Sequence, residues 1–215
     1  MKPKGRIRIQ WSPQFAYVIG LLTTDGSLSK DGRHIIFTSK DADLIKNFQK
    51  GLGINCKVSM KASGSQKLKK YYFVQVGDVL FYRFLLGLGL TANKTKTLGG
   101  LKVPDEYFFD FLRGHFDGDG SFYSYWDPRW KSSFMFYMTF VSASKNHINW
   151  LQKKISDFLK IQGHITKAAN QSIYQLRYAK TDSLKILPKL YYNRDVVCLS
   201  RKRIKIEKAL KINSR

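Results

Sequence analysis

The apolar positions of the chain change their period several times, and these changes predict alternating helices and strands. An apolar segment runs from Ser12-Pro13 to Thr24, and a serine cap followed by proline in the first turn is typical of a helix start. Residues 41–52 place their apolar side chains on one helical face, and residues 56–61 alternate apolar and polar side chains. This alternation is the pattern of a half-buried strand, so Cys56, Val58 and Met60 are expected to face a core.

The same patterns predict the other elements. Strands are expected at 27–29, 34–38, 71–76, 122–126, 134–141, 165–169 and 173–178, a polar loop at 62–70, a turn at 170–171, and helices at 78–90, 146–159, 181–192 and 200–211. The order helix, two strands, helix, two strands, helix therefore occurs twice. The predicted fold is α+β with two pseudo-symmetric αββαββα repeats. Residues 1–104 form the N-terminal repeat with a basic arm and a linker, and residues 105–215 form the C-terminal repeat.

A duplication is also visible residue by residue. Four residues recur at one offset of 94 positions: Gly20, Asp25, Gly26 and Ser27 return as Gly114, Asp119, Gly120 and Ser121. Each copy is an apolar helix that ends in Asp-Gly-Ser. The closing glycines are expected to take the left-handed conformation that leads the chain out of a helix.

Each of these helices also carries an internal glycine, Gly20 in one and Gly114 in the other. Glycine inside a helix costs about 0.5–1 kcal/mol relative to alanine. Its presence in both copies indicates that the two helices approach each other closely there. The small residues Thr24 and Gly118 follow four positions later and extend this contact surface.

Asp25 and Asp119 would then meet at one end of the helix pair. A carboxylate is unfavourable at a helix C-terminus, where the macrodipole is negative and the last carbonyls lack partners. Together with the carbonyls of Thr24 and Gly118, the two acids form an oxygen cluster that suits a hard divalent cation, above all Mg²⁺. The alternative is that Asp-Gly is only a turn dipeptide in each copy.

The segments Val18-Ile-Gly-Leu-Leu-Thr-Thr-Asp-Gly26 and Leu112-Arg-Gly-His-Phe-Asp-Gly-Asp-Gly120 resemble the motif of the LAGLIDADG homing endonucleases, in the single-chain form with two motifs. In that family the last acid of each motif binds the catalytic metals, which corresponds to Asp25 and Asp119 here. The resemblance implies that the motif helices pack at the centre and that two antiparallel sheets form a DNA-binding saddle. Three residues depart from the motif: Thr23 replaces its earlier acid in the first copy, and Arg113 and His115 replace small or apolar residues in the second. The helix pair is therefore expected to hold a basic side chain, that of Arg113, at its edge.

The resemblance also implies a function. It is that of a site-specific endonuclease that makes a double-strand break in a long asymmetric DNA target by metal-dependent phosphodiester hydrolysis. Mg²⁺ is the expected cofactor, Mn²⁺ is a substitute, and Ca²⁺ is expected to support binding without cleavage. Because the two copies differ, one chain is expected to act as a monomer on double-stranded DNA.

A lysine near each active site of the family orients or polarises the attacking water. Lys94 and Lys202 fit these places, with Lys96 as the rival of Lys94. The expected catalytic residues are therefore Asp25, Asp119, Lys94 and Lys202. The alternative for the lysines is plain contact with DNA phosphates.

The charge of the chain agrees with a polyanionic partner. There are 38 Lys and Arg residues against 15 Asp and Glu residues, a net charge of +23, and both repeats are basic. A positive field spread over both repeats favours nucleic acid as the partner over a membrane. The two cysteines lie far apart, and no apolar stretch reaches the about 18 residues that a transmembrane helix needs. The expected location is intracellular, in the cytoplasm of a prokaryote or in an organelle.

Polar side chains on the exposed faces of the strands are expected to read base edges in the major groove. The candidates are Ser27, Ser29, Lys30, Arg33, Lys57, Ser59 and Lys61 in the first repeat and Tyr123, Arg129, Lys131, Gln175 and Arg177 in the second. The alternative for each of them is a solvated surface residue.

Three other functions compete with the endonuclease. A calcium loop beginning at Asp117 has the wrong residues, because its sixth and twelfth places are Phe122 and Pro128 instead of glycine and glutamate. A maturase that binds intron RNA and a DNA-binding protein that does not cleave would both use the same fold and the same basic surface, and both stay open.

Overall fold

A computed structural model describes residues 5–63, 66–167 and 172–213. The first repeat consists of α1 (Pro13–Asp25), β1 (Gly26–Leu28), β2 (His34–Ser39), α2 (Ala42–Leu52), β3 (Ser59–Ser63), β4 (Gln66–Gly77) and α3 (Val79–Leu88). After a 3-10 turn at Asp105–Tyr107, the second consists of α4 (Phe108–Asp119), β5 (Ser121–Trp126), β6 (Phe134–Ser142), α5 (Lys145–Leu159), β7 (His164–Lys167), β8 (Tyr174–Tyr178), α6 (Lys180–Leu190) and α7 (Ser200–Asn213). The predicted α+β fold is confirmed.

The two sheets have the same topology. Each has four strands, in the order β1-β2-β4-β3 in the first repeat and β5-β6-β8-β7 in the second, and neighbouring strands in these orders run antiparallel. The registers also correspond, because Ser27 pairs with Ile36 and Ser121 pairs with Thr139 at the start of each first hairpin. The second half of the chain therefore repeats the first in structure as well as in sequence.

Each sheet covers its helices with one face and leaves the other face open. In β2 the side chains of Ile35 and Phe37 are buried, and Phe37 stacks on Phe48 of α2 with ring centroids 4.6 Å apart. The alternating residue Ile36 lies on the opposite side, which we call the outward face of the sheet. The period-2 pattern thus separates an apolar core face from a polar and aromatic outward face.

Two details of the predicted strands are wrong. The predicted loop at 62–70 is largely strand, because β3 continues to Ser63 and β4 begins at Gln66. Val58 and Met60 were expected in the core but are 44% and 59% exposed, and the strand predicted from residue 56 begins only at Ser59, so Val58 lies before it. β3 is the edge strand of its sheet, and a strand at the edge can overhang the helices that cover the central strands. The predicted turn at 170–171 lies outside the described residues.

The predicted starts of α1 and α3 are confirmed by their caps. The Ser12 hydroxyl accepts a hydrogen bond from the Phe15 N–H at 3.1 Å, and the Asp78 carboxylate accepts one from the Phe81 N–H at 2.9 Å. Asp78 also accepts the N–H groups of Arg6 and Ile7, at 2.5 and 2.9 Å. The predicted basic arm is therefore fixed to the start of α3 at these residues.

The two repeats are tied to each other outside the central helices. The Leu98 carbonyl, in the linker, accepts the Ser144 hydroxyl at 2.5 Å, and the neighbouring Gly99 carbonyl lies 2.8 Å from a ring nitrogen of His147. In the opposite direction, Arg201 of α7 donates two hydrogen bonds to Asp41 beside α2, at 2.9 and 2.8 Å. The linker thus packs on the second repeat, and the last helix packs on the first.

The helices α1 and α4 pack against each other through their glycines, as predicted. A Cβ atom placed on Gly20 would lie 2.1 Å from the Phe111 carbonyl oxygen, and one placed on Gly114 would lie 2.0 Å from the Tyr17 carbonyl oxygen. A Cβ atom placed on Gly118 would lie 2.0 Å from the Thr24 hydroxyl oxygen. Each contact is with backbone or with a helix-bound side chain, so the helices approach to a distance that only glycine permits.

The closing glycines differ from the prediction. Gly26 has φ −84° and Gly120 has φ −73°, so both are extended and neither is left-handed. Their Cβ atoms would instead lie 2.4 Å from the Leu22 carbonyl oxygen and 2.4 Å from the Phe116 ring. Glycine is therefore needed at both places for lack of space as the chain folds back over the last helical turn.

Replacement of Gly20 or Gly114 by alanine is expected to destabilise the protein by at least the about 1–3 kcal/mol that overpacking typically costs. The reason is that a backbone carbonyl occupies the place of the new methyl group. Gly87 is the matched control, because it is also helical but its Cβ would meet nothing within 4 Å. Gly87→Ala should stabilise by about 0.5–1 kcal/mol. Chemical denaturation measures all three, and stabilisation by Gly20→Ala would contradict the packing.

Candidate active site

The acids Asp25 and Asp119 are the last residues of α1 and α4, and the paired helices bring them together. Both line one cleft of about 570 Å³, which opens between the first sheet and α7. Asp25 is half-buried and its Oδ2 atom lies 3.2 Å from the place of a Cβ on Gly118, whereas Asp119 is more exposed to the cleft. The helix pair therefore presents two carboxylates to one open cleft.

The electrostatics of this pair are unfavourable in the absence of a cation. Burial and then the nearby Asp119 carboxylate raise the pKa of Asp25 to about 7, although Lys202 and Lys94 act in the opposite direction. Partial loss of hydration also raises the pKa of Asp119. A divalent cation between the carboxylates would remove the cost of ionising both of them.

The donor set fits a hard cation. The two carboxylates and the carbonyls of Thr24 and Gly118, in the last turns of the helices, are all oxygen ligands. In the part of the chain that the structure describes, no three His, Cys, Asp or Glu side chains cluster as metal ligands. Water and phosphate oxygens would therefore complete the shell, as Mg²⁺ commonly requires.

The two predicted lysines lie beside these acids. Lys94 and Lys202 are each only 8% exposed, and each ammonium group donates to carbonyl oxygens at the end of the motif helix of its own repeat. Burial lowers the pKa of both Lys94 and Lys202 to about 8, while the nearby acids oppose this shift. The rival Lys96 is exposed to solvent, so Lys94 is the lysine that the fold places in the site.

Asp117, the earlier acid of the second motif, has a role that the sequence did not reveal. It is buried, and its Oδ2 atom accepts the Tyr17 hydroxyl at 2.8 Å and the Leu199 N–H at 2.6 Å. It thereby fixes the start of α7, which carries Lys202, to the end of α4. At the matching place in the first motif, the Thr23 hydroxyl donates to the Ile19 carbonyl of its own helix at 2.7 Å.

The two unusual residues of the second motif, Arg113 and His115, are buried. Arg113 was expected at the edge of the helix pair, but only 1% of it is exposed. It donates to Asp110 at 2.7 Å and to the carbonyls of Leu190 and Val197 at 2.9 and 2.8 Å. His115 is also buried and stacks on His147 with ring centroids 5.2 Å apart. The Arg113 guanidinium is therefore paired with a carboxylate and donates from each of its three nitrogens inside the protein.

The candidate DNA-contacting residues of the first repeat fall into two groups. Ser27, Ser59 and Lys61 lie on the outward face, opposite Ile36, Phe73 and Tyr71 in the strand register. The other four lie in connecting segments: Ser29, Lys30 and Arg33 between β1 and β2, and Lys57 before β3. All seven are exposed or half-buried, and the outward face also carries Thr38 and Gln75, which the sequence reasoning missed.

In the second repeat, Tyr123, Gln175 and Arg177 lie on the outward face of the sheet. Arg129 and Lys131 lie in the loop between β5 and β6 and are exposed. The Arg129 guanidinium pairs with Asp127 at 3.1 Å, and the Arg177 guanidinium lies over the Tyr137 ring at 5.9 Å.

An aromatic cluster on this face was missed. Tyr123, Tyr125 and Tyr137 stand nearly parallel, with interplanar angles of 5–14° and ring centroids 5.2–6.3 Å apart. Trp126 and Trp130 at the hairpin end are also 52% and 68% exposed, and Trp126 lies opposite the buried Phe134 on the other face of the sheet. The alternation of Tyr123 and Tyr125 around buried residues was the signal that could have revealed it.

The cleft is also lined by cations that the motif does not contain. Lys40, Arg201 and Lys205 surround the acids together with Tyr71. They come from the end of β2 and from α7, so only the fold brings them to the site.

The Asp25 carboxylate has a folded-state pKa above its usual value, and this fixes the sign of its effect on stability. The contribution of Asp25 to the free energy of unfolding is fully present below about pH 4 and is lost as the pH rises through about 7. Asp25→Asn is therefore expected to be more stable than the wild type above pH 7 without divalent cations, by about 1–3 kcal/mol, and equally stable at pH 4.

Asp31→Asn is the control of opposite sign. Asp31 is exposed, and its hydrogen bond with His34 lowers the pKa of Asp31 to about 2. Its contribution is present above about pH 4 and is lost as the pH falls toward 2, so this variant should be no more stable than the wild type at pH 7. Thermal unfolding in EDTA from pH 4 to 8 measures both. An Asp25→Asn protein that melts below the wild type at pH 8 would contradict the electrostatic assignment.

Two family models match the chain. A LAGLIDADG-like domain matches residues 12–86, and a WhiA LAGLIDADG-like domain matches residues 108–190. The matched ranges contain the two motif helices and both sheets, and together they cover most of the chain. Among curated protein sequences, none matches the chain.

Solved structures share the fold at low sequence identity. Full-length DUF199/WhiA from Thermatoga maritima is 18% identical with a TM-score of 0.59, over 96% of this chain and 62% of that chain. The homing endonuclease I-DmoI in complex with DNA and Mn is 14% identical with a TM-score of 0.55, over 85% of this chain and 98% of that chain. The homing endonuclease I-WcaI bound to its DNA recognition sequence is 12% identical with a TM-score of 0.63, over 91% and 88%.

The chain thus spans 62% of the length of the WhiA chain and nearly the whole of the two endonucleases. At these identities the structural matches show a common fold. Both repeats match LAGLIDADG-like family models, each motif helix ends in its acid, and the αββαββα order is duplicated. The chain belongs to the LAGLIDADG family, as a single chain with two motifs.

Proposed function

We propose that this protein is a site-specific DNA endonuclease that makes a double-strand break in a long asymmetric target. The observation that carries the proposal is the pair of carboxylates, Asp25 and Asp119, held together at the ends of two helices beside two buried lysines. A carboxylate at a helix C-terminus lowers stability, and a second one beside it lowers stability further. Binding of a catalytic cation would explain why this destabilising pair of carboxylates is present.

The outward faces of the two sheets are the proposed DNA-binding saddle. The net charge of +23 is spread over both repeats, and hydrogen-bonding side chains lie on both outward faces. The I-DmoI and I-WcaI structures, which share this fold, are complexes with DNA. No helix of the described ranges is long and apolar enough to cross a membrane.

The two faces would read their half-sites with different chemistry. The first carries serine, threonine and lysine side chains, whereas the second carries the tyrosine cluster with Arg177 beside it. A target read by two unlike surfaces has no reason to be palindromic. This difference supports the action of one chain, as a monomer, on an asymmetric site.

Mg²⁺ is the proposed cofactor, with Mn²⁺ as a substitute and Ca²⁺ supporting binding only. Asp25 and Asp119 would hold it together with the carbonyls of Thr24 and Gly118. When bound, the cation polarises the phosphate and activates the attacking water. The I-DmoI complex with DNA also contains Mn, which supports a divalent metal for this fold.

The residues of the chain position the reacting groups. In the reaction a water oxygen bonds to phosphorus, the bond from phosphorus to the 3′ oxygen breaks, and one proton passes to that leaving oxygen. Lys94 and Lys202 place ammonium groups beside the acids, where their positive charge can stabilise charge that develops on the phosphate. Since each repeat supplies one acid and one lysine, each repeat is proposed to cut one strand.

DNA binding without cleavage is the second candidate function. The second repeat matches the WhiA-type model, and the WhiA structures share the fold of nearly the whole chain. A fold shared by WhiA and by endonucleases does not by itself imply cleavage. A maturase that binds intron RNA would use the same basic surface. The endonuclease is favoured because both acids occupy the ends of the paired helices, an arrangement that binding alone does not require.

Replacement of Asp25 or Asp119 by asparagine is expected to abolish double-strand cleavage and to leave DNA affinity nearly unchanged. Each substitution removes one anionic ligand and keeps the side-chain volume. The control is Asp43→Asn, at an exposed acid in the first turn of α2. The measurement is cleavage of a randomised DNA library in Mg²⁺, followed by binding of the selected target in Ca²⁺. Full cleavage by either variant would remove these acids from the metal site, and wild-type binding without cleavage would establish the second candidate.

DNA binding is expected to weaken steeply with salt. For duplex DNA, log affinity falls by about 0.9 per phosphate neutralised for each tenfold rise in salt. The large positive charge on both repeats should neutralise several phosphates. A titration of the selected target in Ca²⁺ from low to high salt measures the slope, and a nearly flat titration would exclude duplex DNA as the main partner.

A further inference from the structure

The two active-site lysines are bound unequally. The Lys202 ammonium donates three hydrogen bonds, to the carbonyls of Phe116, Asp117 and Gly120 at 2.5, 2.9 and 2.6 Å. Within residues 5–63, 66–167 and 172–213, Lys94 has one hydrogen-bond partner, the Gly26 carbonyl. An ammonium group has three N–H donors. Lys202 therefore has no donor left, and Lys94 has two.

This inequality arises between matched positions. Gly26 and Gly120 are counterparts in the two motifs, and each accepts from the lysine of its own repeat. The additional acceptors of Lys202 are the carbonyls of the last turn of α4. Lys94 leaves the corresponding last turn of α1 without such a bond. The shared contact is what the duplication predicts, and the two extra contacts belong to the second repeat alone.

The elements that carry the lysines explain the difference. Lys202 lies in the first turn of α7, whose start is fixed by the hydrogen bond from the Leu199 N–H to Asp117. The Lys202 ammonium also lies over the Phe116 ring, 5.0 Å from its centroid. Lys94 instead lies in a turn and follows Asn93, which has a φ of +59°. The helix α7, whose start is bonded to the buried Asp117, thus holds Lys202 against the end of α4. Lys94 is held by a turn and reaches only the Gly26 carbonyl.

We infer that the two lysines have different tasks: Lys202 is a positioning residue that holds the end of α4, and Lys94 is the lysine whose free N–H groups contact the reacting phosphate or its water. This inference rests on the proposed endonuclease function and divides its two half-reactions. The strand that lies against Lys94 is cut first, and a nicked duplex precedes the double-strand break.

The same bonds form and break in the two half-reactions. In each, a water oxygen bonds to phosphorus, the bond to the 3′ oxygen breaks, and the proton lost by the water ends on that oxygen. The difference is one preorganised donor. On the Lys94 side two N–H groups can bind the charge that develops on oxygen, and on the Lys202 side the carbonyls already occupy them.

Strand-specific rates test this division. A duplex that contains the selected target carries a different label on each strand, and each cut is followed separately in Mg²⁺. The wild type should cut one strand faster, and Lys94→Met should slow that strand selectively by about 100-fold, the loss typical of removing one preorganised donor. Lys202→Met should slow both strands together, because it releases the helix end that carries Asp119. Lys96→Met, in the same turn as Lys94, is the matched control and should leave the ratio of the two rates unchanged.

Stability supplies a second measurement. Lys202→Met removes three hydrogen bonds to helix-end carbonyls and Lys94→Met removes one, so Lys202→Met should lower the melting temperature more. Lys202→Arg keeps the charge and the donors and should recover part of both the stability and the cleavage. Equal stability losses, with each methionine variant silencing a different strand, would overturn the inference and make the lysines equivalent.

A measurement without metal or DNA separates this inference from the proposed function. Nitrogen-15 NMR of the lysine side chains in the wild-type protein should show slow solvent exchange for the Lys202 ammonium protons and fast exchange for those of Lys94. The reverse order, or equal exchange, would overturn the unequal bonding even if DNA is cut. If the predicted exchange is seen and no DNA is cut, the endonuclease assignment fails and the unequal bonding stands.

Discussion

The close contact between α1 and α4 is the constraint on which the rest of the structure depends. It exists because Gly20 and Gly114 let each backbone occupy the place where the other would have a side chain. Everything at the site is placed relative to this contact: the acids at the helix ends, the lysines on the carbonyls beyond them, and the sheets that begin just after the helices. Insertion or deletion of one residue between the glycine and the acid of either helix would separate the acids and rotate the sheet that follows.

The end of this helix pair is a place where several unfavourable charges compensate one another. The negative ends of two helix dipoles and two carboxylates meet there, and the buried ammonium groups of Lys94 and Lys202 bind the helix-end carbonyls. Burial lowers the pKa of each lysine to about 8, so holding them charged also has a cost. The protein thus maintains a site of high electrostatic energy, and the rigid backbone contact of the glycines holds it together.

The sequence predicted what depends on repetition and period. The offset between the two Asp-Gly-Ser segments indicated the duplication, the internal glycines indicated the helix contact, and the alternation in residues 34–38 separated the two faces of the sheet. These features are local, or are copies of one local pattern. The family of the chain could also be identified from the two motifs.

Other features could not be predicted because they depend on distant residues. Arg113 was expected to be an edge residue. Its burial could not be predicted, because the carbonyls of Leu190 and Val197 that bind it lie far along the chain. The role of Asp117 depends on the Leu199 N–H, and the cations around the cleft come from β2 and α7. The prediction that Gly26 and Gly120 are left-handed was wrong for a related reason. Their close contact with the preceding helical turn, which the sequence does not show, determines their conformation.

The ties between the repeats have a consequence for how such proteins can be recombined. The linker carbonyls of Leu98 and Gly99 bind Ser144 and His147 of the second repeat, and Arg201 of the last helix binds Asp41 of the first. A chimera joined at the boundary between residues 104 and 105 would therefore separate the linker carbonyls from the side chains of Ser144 and His147, and Arg201 from Asp41. The trailing segment of each repeat is bonded to both halves, because its lysine binds the motif helix of its own repeat while Leu98, Gly99 or Arg201 binds the other repeat. Exchange of half-site specificity between relatives would have to move the sheets while it leaves residues 89–104 and 193–213 with the helices against which they pack.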